Sequence, residues 1–364
     1  MGSYLFVHFK EKSTPDGEQI YFGLSQNGFE WEQVNDGKPI LETHVGDFGV
    51  RDHAITRTKE GKYIILATDL SLANHFNGKY KGSWEYITHE GSKSLVKWES
   101  DDLLHWSREE LVQVVDESYG CAWAPDIIYD EQNDDYIVHW SSLKKPDGTV
   151  CSYDNRSSED LLAIYYARTK DFKTFSKAKL LTSMPGRSII DSNIVYDNGY
   201  FYRFIKENDG QGHIYMEKGT SFDGEFERMP LFDAEMSKLQ SGVYEAPTAY
   251  KLDDGRWCLM LDFYGTRIKE EQGYVPFVCE DITKGQFIRS DEKFSFPYGF
   301  KHGTVIRISD EKYKEIKEFI KEHMVSLDVL DDKEKFPEII KLCISYNYNN
   351  IYNDIEKKVF GRKI

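Results

Sequence analysis

Gly242-Val243-Tyr244-Glu245-Ala246-Pro247-Thr248 sets an acidic residue between an aromatic and a proline at the mouth of a β-rich run, and the residues on its C-terminal side decide the fold. After the acid come β-formers, then the turn Asp253-Asp254-Gly255, then Arg256-Trp257-Cys258-Leu259-Met260-Leu261. Alternating apolar residues on either side of an Asp-Gly or Asn-Gly turn are the strongest short-range signal of a β-hairpin.

The same text stands three more times upstream. Asp52-His53-Ala54-Ile55 leads through Lys59-Glu60-Gly61-Lys62 to Tyr63-Ile64-Ile65-Leu66-Ala67. Asp126-Ile127-Ile128-Tyr129 leads through Asn133-Asp134-Asp135 to Tyr136-Ile137-Val138. Asp191-Ser192-Asn193-Ile194-Val195-Tyr196 leads through Asp197-Asn198-Gly199 to Tyr200-Phe201-Tyr202. A shorter fifth match opens at His302-Gly303-Thr304-Val305-Ile306.

A second series interleaves with the first, a polar turn before an aromatic anchor: Gly28-Phe29-Glu30-Trp31, Asp102 to Trp106, Asp171 to Phe175, Asp223 to Phe226 and Gly285-Gln286-Phe287. Its first member precedes every hairpin, so chain start and chain end must share a unit. Five repeats of about four strands each predict an all-β fold, a five-bladed β-propeller over residues 1–308, closed by an N-terminal strand joining the last blade. After Ile308, Ser309 offers an N-cap, and Tyr313, Ile316, Phe319 and Ile320 recur at helical spacing. Residues 309–364 are therefore expected to form a short helical C-terminal extension packed on the propeller, with further helix between Phe336 and Val359.

Composition narrows the function. A net charge of −16 over 364 residues argues against nucleic acid and anionic lipid as partners, and no apolar run is long enough to span a bilayer. Five cysteines, Cys121, Cys151, Cys258, Cys279 and Cys343, are widely spaced with no CxxC pair, which suggests neither a disulfide framework nor a zinc site. The N-terminal residues carry no basic leader with a long apolar core, so a cytoplasmic location is expected. Aromatic residues make up 15% of the chain, which suits strands and the stacking of sugar rings alike.

In a propeller the first strand of every blade runs along the central channel, so Asp52, Asp126, Asp191, Glu245 and His302 are read as occupying equivalent positions that converge. Crowded carboxylates repel one another and split their pKa values, which lets one serve as an acid while another serves as a base. An Asp that opens a strand is also a common turn former, and that reading stands for any one of them alone.

Arg51-Asp52, Trp123-Ala124-Pro125-Asp126-Ile127, Ile190-Asp191-Ser192-Asn193, Tyr244-Glu245-Ala246-Pro247 and His302-Gly303-Thr304-Val305 together resemble glycoside hydrolase family 43, in that family's order, over about residues 20 to 310. The resemblance implies an inverting mechanism, with Asp52 as general base, Glu245 as general acid and Asp191 raising the pKa of Glu245 and orienting it. Glu245 is then expected to be protonated near neutral pH. Asp126 reads as a strand opener that fixes its blade. His302 matches a family histidine that in some members helps hold a water-coordinated metal, often calcium; a core histidine fits as well, and no cofactor is required. Where the family commonly has Pro, this chain has His53 and Ser192.

Phe48, Arg51, Trp84, Trp123, Trp140, Tyr244, Arg267 and His302 are the candidates for binding substrate. The implied function is an exo-glycosidase releasing terminal pentose, most readily α-L-arabinofuranose, from plant cell-wall oligosaccharides of arabinoxylan or arabinan. β-Xylosidase is the alternative; many β-xylosidases of the family continue into a β-sandwich, and the helical text after Ile308 favours arabinose. A retaining enzyme of the fructan-processing kind and a non-catalytic carbohydrate-binding propeller are the remaining alternatives.

Overall fold

The computed structural model describes residues 2–10, 13–210, 212–268, 271–297 and 299–323. Its strands form five four-stranded antiparallel sheets. Strands β1 (Gly2–His8), β2 (Tyr21–Ser25) and β3 (Glu32–Gln33) come first. Blade 1 follows as β4 (Val50–Arg57), β5 (Tyr63–Asp69), β6 (Ser94–Ser100) and β7 (Glu110–Gln113), and blade 2 as β8 (Trp123–Asp130), β9 (Asp135–Leu143), β10 (Leu162–Thr169) and β11 (Lys179–Thr182). Blade 3 is β12 (Ile189–Asp197), β13 (Tyr200–Glu207), β14 (Ile214–Gly219) and β15 (Phe226–Arg228); blade 4 is β16 (Tyr244–Lys251), β17 (Trp257–Phe263), β18 (Gly273–Cys279) and β19 (Ile288–Arg289). The last strand, β20 (Gly303–Ser309), pairs with β1 and completes blade 5 in the order β20-β1-β2-β3.

The five-bladed propeller expected from the repeats is therefore the fold, with one correction. Three N-terminal strands, not one, join the chain's last strand, because β1 to β3 already carry an anchor turn and lack only an innermost strand. Strands β4, β8, β12, β16 and β20 are innermost and touch their neighbours around a closed ring. Both faces of a blade are covered by the next blade, which is why β1 and β5 are buried at every residue and read as nearly continuous apolar runs.

Separate apolar clusters weld the blades. Leu5, Phe22, Ile55 and Trp98 lie between blades 5 and 1, and Leu66, Trp140 and Tyr165 between blades 1 and 2. Ile137, Tyr166 and Ile194 join blades 2 and 3, Phe204, Leu259 and Phe277 join 3 and 4, and Phe6, Tyr250 and Met260 join 4 and 5.

The anchor series falls between the third and fourth strands of the blades. Asn27, Asp102 and Asp171 use one side-chain oxygen to accept two backbone N–H groups, at 2.8 and 2.9 Å in each case, a turn stamped three times. Helix α4 (Asp310–His323) starts where Ser309 Oγ accepts the N–H of Lys312 at 3.0 Å, as its N-cap reading requires. Its Tyr313 and Ile316 are buried against the cluster between blades 5 and 1, and Lys317 pairs with Glu32 of β3 at 2.8 Å. The helix expected between Phe336 and Val359, and Cys343, lie outside the described residues. The other four cysteines are buried free thiols.

Candidate active site

A kink repeated in four inner strands positions the functional side chains. In β4, β8, β12 and β16 the pairing register slips, between Arg51 and Ala54, Trp123 and Asp126, Ile190 and Asn193, and Glu245 and Thr248. Each slip is a β-bulge whose first residue is left-handed: Asp52 (φ 53°), Ala124 (φ 49°), Asp191 (φ 52°) and Ala246 (φ 54°). Such a conformation costs a residue with a Cβ about 1–3 kcal/mol and concentrates at functional sites, while bulges re-aim side chains.

The bulges correct the equivalence read from the sequence. Asp52 and Asp191 share one position with Ala124 and Ala246. Glu245 stands one residue earlier, level with Arg51, Trp123 and Ile190, and Asp126 stands two residues later, level with Ala54, Asn193 and Thr248. The second bulge residue is His53, Pro125, Ser192 or Pro247. A bulge leaves that residue outside the regular ladder, so proline, lacking an N–H, is tolerated there. Ser192 uses the place to bond His139 Nδ1 at 2.7 Å.

Hydrogen bonds tie the inner strands across blades. Thr68 Oγ1 donates to Asp52 Oδ2 at 3.1 Å and accepts Ala124 N–H at 2.8 Å. Ser141 Oγ accepts Asp191 N–H at 3.0 Å, and Asp191 Oδ2 in turn accepts Ala246 N–H at 3.2 Å. The carboxyl of Asp191 is thereby fixed beside the strand that carries Glu245.

These residues wall a cavity of about 500 Å³ lined by Asp52, Asp191, Glu245 and Asp262, and by Lys10, Arg51, Lys206, Lys301 and His302. Acids and cations alternate in it. His302 Nδ1 lies 3.2 Å from Asp52 Oδ1, Lys206 Nζ 3.0 Å from Glu245 Oε2, and Lys301 Nζ 3.1 Å from Asp262 Oδ1. Lys206 also donates to Tyr264 Oη at 3.0 Å, and Tyr264 donates to the Gly242 carbonyl at 2.7 Å. Arg51 stands 3.4 Å from Glu18, a fully buried carboxylate bound by Ser71 Oγ and the N–H groups of Leu72 and Ala73, and its guanidinium covers the Phe9 ring at 4.7 Å.

The charges order themselves accordingly. Burial alone would raise Asp52, but the hydrogen bond and charge of His302, helped by Arg51 and Thr68, bring it down to about 2. His302, disfavoured as a cation by burial, is pushed up to about 9 by Asp52, with Asp191 and Glu245 adding. Burial raises Asp191 to about 6, Glu245 adding its repulsion against the pull of His302 and Lys206. Burial likewise raises Asp262 to about 6 against the pull of Lys301. For Glu245, burial is outweighed by Lys206, whose charge and hydrogen bond hold the carboxyl below its ordinary value. The expectation of a protonated Glu245 in the free site is therefore reversed: Lys206 keeps Glu245 ionised, and of these two neighbouring carboxyls it is Asp191 whose proton affinity is raised.

Among the sequence candidates, Asp52, Asp191, Glu245, Arg51, Trp84, Trp123 and His302 line the cavity. Trp84 and Trp123 meet edge to face at 6.2 Å. Four candidates do not line it. Phe48 is 53% exposed on a loop outside, its carbonyl held by Gln19 and Asn74. Tyr244 packs on Phe263 at 5.1 Å, because successive strand residues face opposite ways and Glu245 takes the cavity side. Arg267 is exposed on the loop after β17, and Trp140 is fully buried in the core between blades 1 and 2. Asp126 is also off the cavity; it accepts Asn193 Nδ2 at 2.8 Å and ties blade 2 to blade 3.

Lys206, Asp262, Tyr264 and Lys301 escaped the reading of the sequence. Counted from its turn, the β16–β17 hairpin pairs Thr248 with Met260, which would set Glu245 opposite Phe263; the bulge shifts the register by one and sets it opposite Asp262. Calcium takes about six to eight oxygen ligands. Among the described residues no group of three or more His, Cys, Asp or Glu side chains is disposed to hold a metal ion directly.

Acids from separate blades meeting in one cavity of a five-bladed propeller define the class of the propeller glycoside hydrolases. The chain belongs to the glycoside hydrolase family 43-related family, whose model, described as "Probable glycosyl hydrolase domain", matches residues 1–314. It is 28% identical over 251 residues to an alpha-L-arabinofuranosidase of Bifidobacterium longum subsp. longum, covering 66% of this chain and 22% of that protein. The chain thus spans about a fifth of the length of the curated relative it matches. Among solved structures, the xylan beta-1,4-xylosidase of Bacillus halodurans C-125 superposes with a TM-score of 0.54 at 11% identity, covering 81% of this chain and 54% of that one. A family 43 protein of Bacillus licheniformis gives 0.52 at 15%, covering 83% and 54%. At these identities the two structures share the fold with this chain.

Proposed function

We propose that this chain is an inverting exo-glycoside hydrolase that releases a terminal pentose, α-L-arabinofuranose, from arabinoxylan or arabinan oligosaccharides. The observation that carries the reading is the placing of an ionised Asp52 on blade 1 and Glu245 on blade 4 in the wall of one cavity, with Asp191 on blade 3 beside Glu245. Asp52, held ionised by His302, takes a proton from water as the water oxygen bonds to the anomeric carbon. Glu245 delivers a proton to the glycosidic oxygen as its bond to that carbon breaks. In this mechanism base and acid act from opposite faces of the sugar, so the product anomer is inverted.

Asp191 and Glu245 share the proton the reaction needs. In the free site Lys206 biases it toward Asp191. A glycosidic oxygen arriving at Glu245 accepts a hydrogen bond from its neutral form, stabilises that form and draws the proton across. The alignment with the Bifidobacterium arabinofuranosidase supports arabinose as the sugar. The edge-to-face pair of Trp84 and Trp123 supplies an aromatic surface suited to a sugar face.

A panel of 4-nitrophenyl α-L-arabinofuranoside, β-D-xyloside and β-D-galactoside tests this, with arabinofuranoside expected to be cleaved fastest. Preference for the xyloside would reassign the enzyme as a β-xylosidase. Absence of turnover on all three and on arabinoxylo-oligosaccharides would contradict the proposal.

A further inference from the structure

Asp262 and Lys301 form a charged pair that acid–base catalysis by Asp52 and Glu245 does not use. Asp262 is on β17, directly across the hairpin from Glu245, and Lys301 immediately precedes His302, the partner of Asp52. The pair therefore stands in the wall that joins the acid to the base, on the side of blades 4 and 5, and both residues line the cavity.

The pair is deeply placed, with side-chain exposures of 3% for Asp262 and 15% for Lys301, and its hydrogen bonding is incomplete. Among the described residues, Lys301 Nζ donates only to Asp262 Oδ1, and Asp262 Oδ2 accepts from no protein group. Two N–H groups of the ammonium and one carboxylate oxygen remain unspent. Removing a carboxylate and an ammonium from water is costly unless their remaining hydrogen bonds are made, and a packed apolar pair would have been no less stable for the fold alone. Lys206, by contrast, is engaged by both Glu245 and Tyr264.

We propose that Asp262 and Lys301 are substrate-positioning residues that clamp a free vicinal diol of the terminal sugar, the carboxylate accepting one hydroxyl and the ammonium donating to its neighbour. This rests on the reading of the cavity as a glycosidase site. It names the substrate class more closely: a neutral pentose whose two non-anomeric ring hydroxyls nearest the clamp are both unsubstituted. A sugar lacking one of them leaves a buried charge unpaired, and a sugar esterified there has no hydroxyl to offer the clamp.

The test compares 4-nitrophenyl α-L-arabinofuranoside with its 2-deoxy and 3-deoxy counterparts, in the wild type and in Asp262→Ala/Lys301→Met, which removes both charges together and strands neither. Wild type is expected to lose about 10- to 100-fold in kcat/KM on at least one deoxy substrate. In the double variant that penalty should fall below about threefold, while activity on the full substrate drops to the level of the deoxy one. Should the double variant fail to fold, Lys301→Met alone should abolish the penalty at the hydroxyl that Lys301 reaches while leaving the one at Asp262, and loss of neither penalty overturns the clamp. A deoxy penalty that persists unchanged in the variants overturns the clamp, since damage to the fold would slow all three substrates alike. If the wild type cleaves no pentoside, the assigned function fails, and the clamp is read instead by calorimetry with free arabinose and xylose. Binding at least tenfold weaker in the variant supports it, and equal or absent binding overturns it.

Discussion

Replacing His302 with Gln keeps an N–H donor near Asp52 and removes the positive charge. Raising the imidazole from its ordinary 6.5 to about 9 corresponds to about 3.4 kcal/mol of interaction that favours the protonated folded state, at about 1.36 kcal/mol for each tenfold change in proton affinity. The Asp52 end of the same pair, lowered from 3.8 to about 2, gives about 2.4 kcal/mol. The ends differ because His302 also feels Asp191 and Glu245, while burial opposes the shift at both ends. The His302 end governs the pH dependence, since that is the group removed. A group whose pKa is raised on folding contributes fully below its unfolded value and loses that contribution as pH rises through its folded value. Wild type should therefore exceed His302→Gln in urea-unfolding free energy by about 3 kcal/mol at pH 6, and the gap should close as pH rises toward 9.5. The acid limb of kcat/KM should move upward in the variant, because burial of Asp52 is no longer outweighed. A stability gap that is the same at pH 6 and pH 9.5, or one that widens, would refute the ion pair as the device that holds the base ionised.

Lys206→Met removes the ammonium that keeps Glu245 ionised, so the alkaline limb of kcat/KM, which in the wild type should fall as pH passes above about 6, moves to higher pH; a shift to lower pH contradicts the assignment. Asp52→Asn and Glu245→Gln should each lower kcat by about 10²–10⁴-fold with unchanged circular dichroism. Glu245→Gln should lose far less on a nitrophenyl glycoside, whose leaving group needs no proton, than on an oligosaccharide, and equal losses would argue against its role as the acid. Trp140→Ala should cost about 3–5 kcal/mol of stability as a core truncation. Trp84→Ala, at a side chain 46% exposed, should stay within about 1 kcal/mol of wild type and raise KM instead.

The architecture could be read from the chain because a propeller repeats one instruction. Four hairpins with polar turns, two of them Asn-Gly or Asp-Gly, and five anchor turns say the same thing in different words, and a local signal repeated that often survives errors in any one. Asp52, Asp191 and Glu245 were legible because they open strands that the fold must bring to one axis. What could not be read was register. Bulges that leave Ala124 and Ala246 left-handed shift Asp126 out of the ring and bring Asp262 opposite Glu245, and neither alanine announces a bulge. Lys206 and Lys301 were hidden for a second reason. A lysine that faces the cavity, whether in a strand like Lys206 or just before one like Lys301, looks like any solvent-facing one until its acidic partner is known, and it is Lys206 that reverses the charge state expected of Glu245. Tyr244 and Trp140 misled because an aromatic near an acid in sequence can face the opposite side of the sheet.

The most direct test of the account is the anomer that forms first. Hydrolysis of an arabinofuranoside followed by ¹H NMR, before mutarotation sets in, should show the β-anomer of free arabinose from the α-linked substrate. This is the outcome of a single displacement with Asp52 activating water and Glu245 protonating the leaving oxygen. First appearance of the α-anomer would mean retention through a covalent intermediate, and would contradict the roles assigned to both residues.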